Sequence, residues 1–390
     1  MSRGRNGRCP ACGGTTLEEV LRIHSVPVHS MILLGDAEAA RGFPRSRIEL
    51  THCADCGFLF NAAFEAAAMR YDLRFEESQH FSPTFGRFAR LLIEQLAAGG
   101  ALAGRHVVEV GCGRGEFLAA LCQHATCRGT GIDPGWRAGR IEGPPLEGVR
   151  FLAEPLGPHH RRLGADLLLC RHTLEHIAEV RDFLLQAARL GEGRPGFRLI
   201  FETPDAGRIL AEGAFWDVYH EHCSYFTAAA LCGLFERAGL AVTRCQSVFA
   251  GQYLLLDATP AASPTAPAAP PAPGAAATYA KAFSDSMARW HRRAGAWTAA
   301  GERLVLWGGG SKAVAFLAAL GLDAEVTAVV DINPYRQGHF LPGGGHPIVA
   351  PEELKKLRPD RVLAMNAVYR EEIATALTSL GLDPALEALA

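Results

Sequence analysis

The chain has 390 residues, a formal net charge of −2, and 48% hydrophobic and 21% charged residues. Such a composition suits two to three soluble domains with a large core; it argues against a general electrostatic footprint for nucleic acid, and no apolar run reaches membrane-spanning length. Eleven cysteines, with two Cys-x-x-Cys pairs among them, and no apolar leader behind Met1-Ser2-Arg3 point to a reducing cytoplasm and metal thiolates rather than a disulfide scaffold.

Residues 1–67 read as a zinc-binding subdomain. Cys9-Pro10-Ala11-Cys12 and Cys53-Ala54-Asp55-Cys56 are two thiolate knuckles, and four thiolates close a tetrahedral shell around one structural Zn2+. Their separation exceeds that of an ordinary zinc ribbon, so a small fold with strands such as 47–52 must form between them. Helical spacing of apolar residues follows at 85–98. Strands and helices then alternate: strand 105–110, helix 116–124, strand 129–132, strand 166–170, helix 180–190, strand 197–202. That alternation predicts an α/β fold with a doubly wound, mostly parallel sheet, over a core domain of residues 68–258. Residues 259–278, almost all Ala, Pro, Ser and Thr, read as a linker. A helix at 279–300 leads into a second strand–glycine–helix unit, Leu304 to Lys312, whose next strand, 326–330, ends at Asp331; residues 279–390 make a C-terminal Rossmann-like domain.

The chemistry concentrates in a few stretches. Glu109-Val110-Gly111-Cys112-Gly113-Arg114-Gly115 ends one strand and opens a helix, and Asp133 with Pro134 ends the next strand, placed for ribose hydroxyls. Read alone, the glycines suggest a dinucleotide. His172 and His176 follow a strand whose carboxyl end faces the ligand crevice of such a sheet, with His172 toward the cofactor and His176 toward the reaction. Tyr219-His220-Glu221-His222 packs a phenol, a carboxylate and two imidazoles into four consecutive positions, which neighbours in a plain core would not tolerate without partners. The second glycine loop, Gly308-Gly309-Gly310-Ser311-Lys312 with Asp331, read alone suggests NAD, although Ala313 stands where a third glycine would pack helix on strand.

With its acidic residue just upstream, Glu-Val-Gly-Cys-Gly resembles the S-adenosylmethionine loop of class I methyltransferases. Over nearly the whole chain, the four-cysteine segment, that loop, the Tyr-His-Glu-His run, Trp307 to Lys312, Val330 to Gly338 and His346 to Leu354 resemble the sugar C-methyltransferase family of deoxysugar biosynthesis. The resemblance implies S-adenosyl-L-methionine as cofactor and a small-molecule acceptor, a nucleotide-linked 4-keto sugar, with no nucleic-acid or membrane partner. It implies an active site of Tyr71, His176, Tyr219, Glu221 and His222, and a C-terminal domain that holds the acceptor's nucleotide; the loop Gly308 to Lys312, read from its own backbone amides and Lys312, is placed to approach the phosphates. The expected chemistry is an enolate: His222 as base, Glu221 fixing its tautomer or sharing the proton, Tyr219 or His176 donating to the enolate oxygen. One stretch departs from the family. Phe249-Ala250-Gly251-Gln252-Tyr253-Leu254-Leu255 replaces a His-Gly-Gly-Ser-x-Arg sequence, which leaves O- or N-methylation of a glycan or secondary metabolite as the alternative. A zinc-ribbon RNA binder on the same scaffold would need a basic, aromatic-laced stripe that this chain lacks.

Overall fold

The computed structural model describes residues 7–69, 75–139, 146–262 and 271–390; Tyr71 lies outside them. Three sheets organise the described chain. The first holds β1 (Leu17–Pro27), β2 (Arg45–Cys53) and β3 (Leu59–Asn61), with the short helix α1 (Ala37–Arg41) between β1 and β2. β1, β2 and β3 pair antiparallel in sequence.

After helix α2 (Pro83–Ala97) comes the central sheet: β4 (His106–Val110), helix α3 (Glu116–Ala125), β5 (Arg128–Ile132), β6 (Val149–Leu152), β7 (Leu167–Arg171), helix α4 (Val180–Ala188) and β8 (Arg198–Pro204). Helix α5 (Ala206–Glu212) and a single 3-10 turn at Phe215–Asp217 then lead to β9 (Ser224–Tyr225), helix α6 (Ala228–Arg237), β10 (Leu240–Val248) and β11 (Tyr253–Pro260). Seven of these strands form one sheet in the order β10-β11-β8-β7-β4-β5-β6, in which β11 alone runs antiparallel to its neighbours. β4 and β7 are adjacent, so chain order reverses between them. That is the switch point at which open α/β sheets bind ligands, beyond the carboxyl ends of the strands.

The strand missing from that count is β9. It pairs with β3, Leu59 opposite Tyr225 and Phe60 opposite Ser224, so the Tyr219–His222 run is stitched into the edge of the four-cysteine sheet. The segment set off as a subdomain by its cysteines therefore shares a sheet with the core.

The C-terminal part begins with helix α7 (Ala275–Ala299), followed by β12 (Leu304–Trp307), helix α8 (Ser311–Leu320), β13 (Val326–Val330), β14 (Ile348–Val349), helix α9 (Leu354–Leu357), β15 (Arg361–Ala364), helix α10 (Arg370–Ser379) and β16 (Ala385–Ala388). Its all-parallel sheet, β14-β13-β12-β15-β16, also reverses at its first strand, beside the second glycine loop. α7 starts inside the stretch read as a linker, because three alanines after Gly274 are strong helix formers once the prolines end.

The largest apolar core ignores the domain boundaries. Val20 and Ile23 of β1, Phe215 and Trp216, Trp290 of α7 and Phe316 of α8 are all buried in one cluster. Phe215 stacks on Phe316 at 5.9 Å, and Trp216 meets Trp290 edge-on at 6.0 Å. The residues entering the Tyr-His-Glu-His run are thus held from both sides.

Candidate active site

Cys9, Cys12, Cys53 and Cys56 converge, with all four sulfurs within 4.8 Å of one another. Cys9 and Cys56 lie 3.7 Å apart, as do Cys12 and Cys53. Four sulfurs bound tetrahedrally at about 2.3 Å would be separated by roughly 3.8 Å, so the donor set and its spacing fit a zinc ion. Tight knuckles produce this geometry: Gly13 donates to the Cys9 carbonyl and Gly57 to that of Cys53, both at 2.8 Å.

The first glycine loop occupies the switch point of the central sheet. Gly111 has φ +74°, and a Cβ there would lie 1.8 Å from Thr173 Oγ1 on the neighbouring loop, so only glycine fits. Gly113 N–H donates to Asp133 Oδ2 at 2.9 Å and Gly135 N–H to Oδ1 at 2.7 Å. These bonds hold the Asp133 carboxylate against the glycine loop, beside Pro134. Cys112 is buried, which pushes its thiol up and keeps it neutral. Glu109, buried under the loop, is raised to about 7 by that burial. Its Oε2 and the indole N–H of Trp136, which stacks on Phe151 at 5.1 Å, are buried without hydrogen-bond partners among the described residues. Turn geometry, an acidic residue and unsatisfied polar groups around the loop fit a cofactor with a cationic methionine end and a nucleoside.

His172 continues from β7 with a left-handed backbone, φ 49°, a strained value for a non-glycine residue. Its Nε2 lies 2.6 Å from Glu202 Oε1, and Arg171 also pairs with Glu202 at 3.1 Å. Burial alone would raise Glu202; Arg171 and His172 outweigh it and hold the carboxylate at about 2. The His172 ring meets Tyr253 at 4.5 Å.

Tyr253 lines a cavity of about 240 Å³ between the central sheet and the C-terminal unit. Phe81, Trp307 and Tyr369 add aromatic wall, and Gln252, Asn333 and Asn366 add amides. Tyr219 and Lys312 of the expected site face it. His222 lies behind Tyr219, ring centroids 4.2 Å apart, and His176 crosses His222 edge-on at 4.7 Å. Burial, reinforced by His176, pushes His222 well below the ordinary imidazole range, so it is neutral. Burial and the nearby Asp217 push the Tyr219 phenol well up, so it remains a donor.

Glu221 is brought close in sequence but turned away. Its Oε2 lies 3.0 Å from His29 Nδ1, and its Oε1 accepts from Ser30 N–H at 3.1 Å and from the Ser30 hydroxyl. It therefore does not hold the His222 tautomer as expected. Lys312 also points inward. It bonds both oxygens of buried Asp217, at 2.8 and 3.0 Å, and Gln252 Oε1 at 3.1 Å. Arg208 shares Asp217, so Lys312 ties the C-terminal glycine loop to the core. Asp331 is occupied in a similar way, by Gly309 N–H at 2.8 Å, Asn333 N–H at 2.8 Å and Arg336 at 3.3 Å. With its charge matched by Arg336, it is poorly disposed for an NAD ribose.

His29, Ser30 and Asp217 escaped the sequence reading. His29 and Ser30 follow β1 without any motif, and their relation to Glu221 appears only once β9 is paired. Asp217 stands two residues before the run, where its neighbours Trp216 and Val218 were a signal of burial.

A methyltransferase domain model matches residues 79–244, and a C-methyltransferase C-terminal domain model matches residues 275–381. C-methyltransferase NovU of Streptomyces niveus is 26% identical over 394 residues, which cover 94% of this chain and 90% of NovU. Among solved structures, magnesium protoporphyrin IX methyltransferase from Synechocystis PCC 6803 with bound SAH is 18% identical over 45% of this chain and 83% of its own, with a TM-score of 0.34. The Burkholderia thailandensis 1,6-didemethyltoxoflavin-N1-methyltransferase is 21% identical over 47% and 80%, with a TM-score of 0.33. Two domain models in this order, along with a relative aligned over nearly its full length, support an S-adenosylmethionine-dependent C-methyltransferase.

Proposed function

We propose that the enzyme C-methylates a nucleotide-linked keto-deoxysugar, α to the ketone, through an enolate. The observation that carries this reading is the neutral, buried His222 set behind the Tyr219 phenol on the wall of the cavity between the two α/β units. A carbon nucleophile requires an unprotonated base at the α-hydrogen and a donor at the carbonyl oxygen. His222 is the base; Tyr219, with His176 beside it, donates to the oxygen. S-adenosylmethionine, held by Glu109, Gly111, Gly113 and Asp133, supplies the electrophilic methyl group. His172 and Tyr253 separate the cofactor pocket from the acceptor cavity and restrict water. The aromatic wall and the amides of the second glycine loop receive the nucleotide, and Lys312, its three protons taken by Asp217 and Gln252, fixes that loop at the cavity. One structural Zn2+ on the four thiolates holds the sheet that carries β9.

The O- or N-methylation reading draws on a different observation. The cations lining the cavity, Arg208, Lys312 and Arg336, are each matched by a carboxylate, Asp217 or Asp331, which favours a less anionic acceptor. Incubation with S-adenosylmethionine and a panel of nucleotide 4-keto-6-deoxysugars in deuterated water separates the two readings. C-methylation gives a mass gain of one methyl with loss of the α-hydrogen, and enolate formation alone leaves deuterium there. Neither exchange nor methyl gain across the panel would move the assignment to a hydroxyl or amine acceptor.

A further inference from the structure

The four-cysteine segment reaches the reaction centre through two side chains outside the zinc knuckles. His29 and Ser30 lie just beyond β1, after Val28, and are 2% and 3% exposed, and Glu221 is 1% exposed. Both carboxylate oxygens of Glu221 are engaged by this pair, Oε2 with His29 Nδ1 and Oε1 with the Ser30 amide and hydroxyl. A carboxylate buried this deeply persists as an anion only with such donors. Ser30 Oγ also lies 2.6 Å from Ser311 Oγ, at the start of α8 on the acceptor cavity. A hydroxyl has one proton, and ionised Glu221 can only accept. Ser30 therefore donates to Glu221, and Ser311 donates to Ser30. A chain of hydrogen bonds thus runs from the second glycine loop, through the N-terminal segment, to the residue before His222.

We propose that His29 and Ser30 are positioning residues for methyl transfer: they fix Glu221 as a permanent anion, and through it the backbone that carries His222 and Tyr219. This rests on the reading of His222 as base. Glu221 in this role carries no proton during turnover. The titratable groups around it are His29, His176, His220, Tyr219 and Tyr225, and its charge favours the protonated forms of Tyr219, His220 and Tyr225. Ser311 makes the arrangement sensitive to acceptor binding, because a ligand at the start of α8 meets the far end of the same chain of hydrogen bonds.

The test uses the full-length, metal-loaded protein and the variants His29→Ala, His29→Asn, Ser30→Ala and Glu221→Gln. Zinc content and far-UV circular dichroism identify folded variants. His29→Ala and Ser30→Ala should each lower kcat by about ten- to a hundredfold, the effect of one hydrogen bond to a charged group, with S-adenosylmethionine affinity by calorimetry unchanged. Their acidic limb of kcat against pH should shift upward, because Glu221 loses donors that stabilise its anion. His29→Asn, which keeps a donor near the Nδ1 position, should restore most of the rate and the limb. A second readout needs no acceptor: carbon-13 titration of the Glu221 carboxyl, assigned by its loss in Glu221→Gln, should move upward in His29→Ala and Ser30→Ala. Folded His29→Ala and Ser30→Ala proteins with wild-type kcat, pH profile and carboxyl titration would overturn the proposal. A wild type that methylates no keto-sugar would instead sink the functional reading, while the carboxyl titration would still decide the anchoring.

Discussion

Replacing Asp217 by Asn tests how the two α/β units are joined. Asp217 is buried between Lys312 of α8 and Arg208 of α5, with contacts of 2.8 Å to Lys312 Nζ and 2.5 Å to an Arg208 terminal nitrogen. Burial alone would raise its carboxyl; Lys312 and then Arg208 outweigh this and hold it below the ordinary carboxylate range. Asn keeps the shape and removes the charge, leaving Lys312 mostly buried without its counter-ion while Arg208 retains Glu212. Breaking a buried pair in this way costs about 3–5 kcal/mol, more than pairing it contributes over an apolar pair. Urea unfolding followed by tryptophan emission reads this directly, since Trp216, next in sequence, is 1% exposed and meets Trp290. Asp217→Asn/Lys312→Met should lose less than the sum of the single changes, by about 1–3 kcal/mol, because no charge is then stranded. The sign with pH follows from the lowered carboxyl: its stabilisation is complete above the ordinary carboxylate range and fades as pH falls through the native value, so the gap between wild type and Asp217→Asn should narrow in acid. A single variant within about 1 kcal/mol of wild type at neutral pH would refute the reasoning.

Three further outcomes follow from the same geometry. Gly111→Ala puts a methyl group onto Thr173 at a positive φ and should abolish detectable S-adenosylmethionine binding in calorimetry while the C-terminal unit stays folded; retained micromolar binding would mean that the loop is not the cofactor site. Cys53→Ser should remove about one zinc per chain in metal analysis and, through the β3–β9 pairing, cost activity more than cofactor affinity; unchanged turnover in metal-free protein would contradict this. His222→Gln should lower kcat by about a hundred- to ten-thousandfold. Because the native His222 is neutral well below its unfolded value, it also penalises folding as pH drops below about 6.5. His222→Gln should therefore be relatively more stable than wild type near pH 5, and equal acid sensitivity would show that His222 is not buried neutral.

Much of the architecture was legible because it is periodic or local. The strands at 106–110, 128–132 and 167–171 and the helix at 116–125 come out within a residue or two of the sequence reading, since apolar runs, glycine turns and helix starts are set by near neighbours. The four cysteines were legible because thiolates in pairs have few other uses. What sequence could not show was whatever depends on partners far apart in the chain. Glu221 looked like a companion of His222 from adjacency; its real partners lie nearly two hundred residues upstream. Lys312 looked like a phosphate ligand from its loop, and only the packing of α8 on the Phe215–Asp217 turn reveals Asp217 as its partner. β9, two residues long, has no pattern of its own and forms because β3 offers an edge.

That short strand also sets the order in which the molecule can assemble. Both cysteine pairs leave the ribosome early, and the knuckles can bind metal as soon as Cys56 is out. The sheet they anchor nevertheless stays open at β3 until Ser224 and Tyr225 have been synthesised and the central sheet between them has been threaded. Closing so long a loop is slow, and until it closes the edge of β3 is an unpaired template for other chains. Expression of this enzyme should therefore be limited less by zinc supply than by the wait for β9, and slowing synthesis upstream of residue 224 should increase aggregation rather than relieve it.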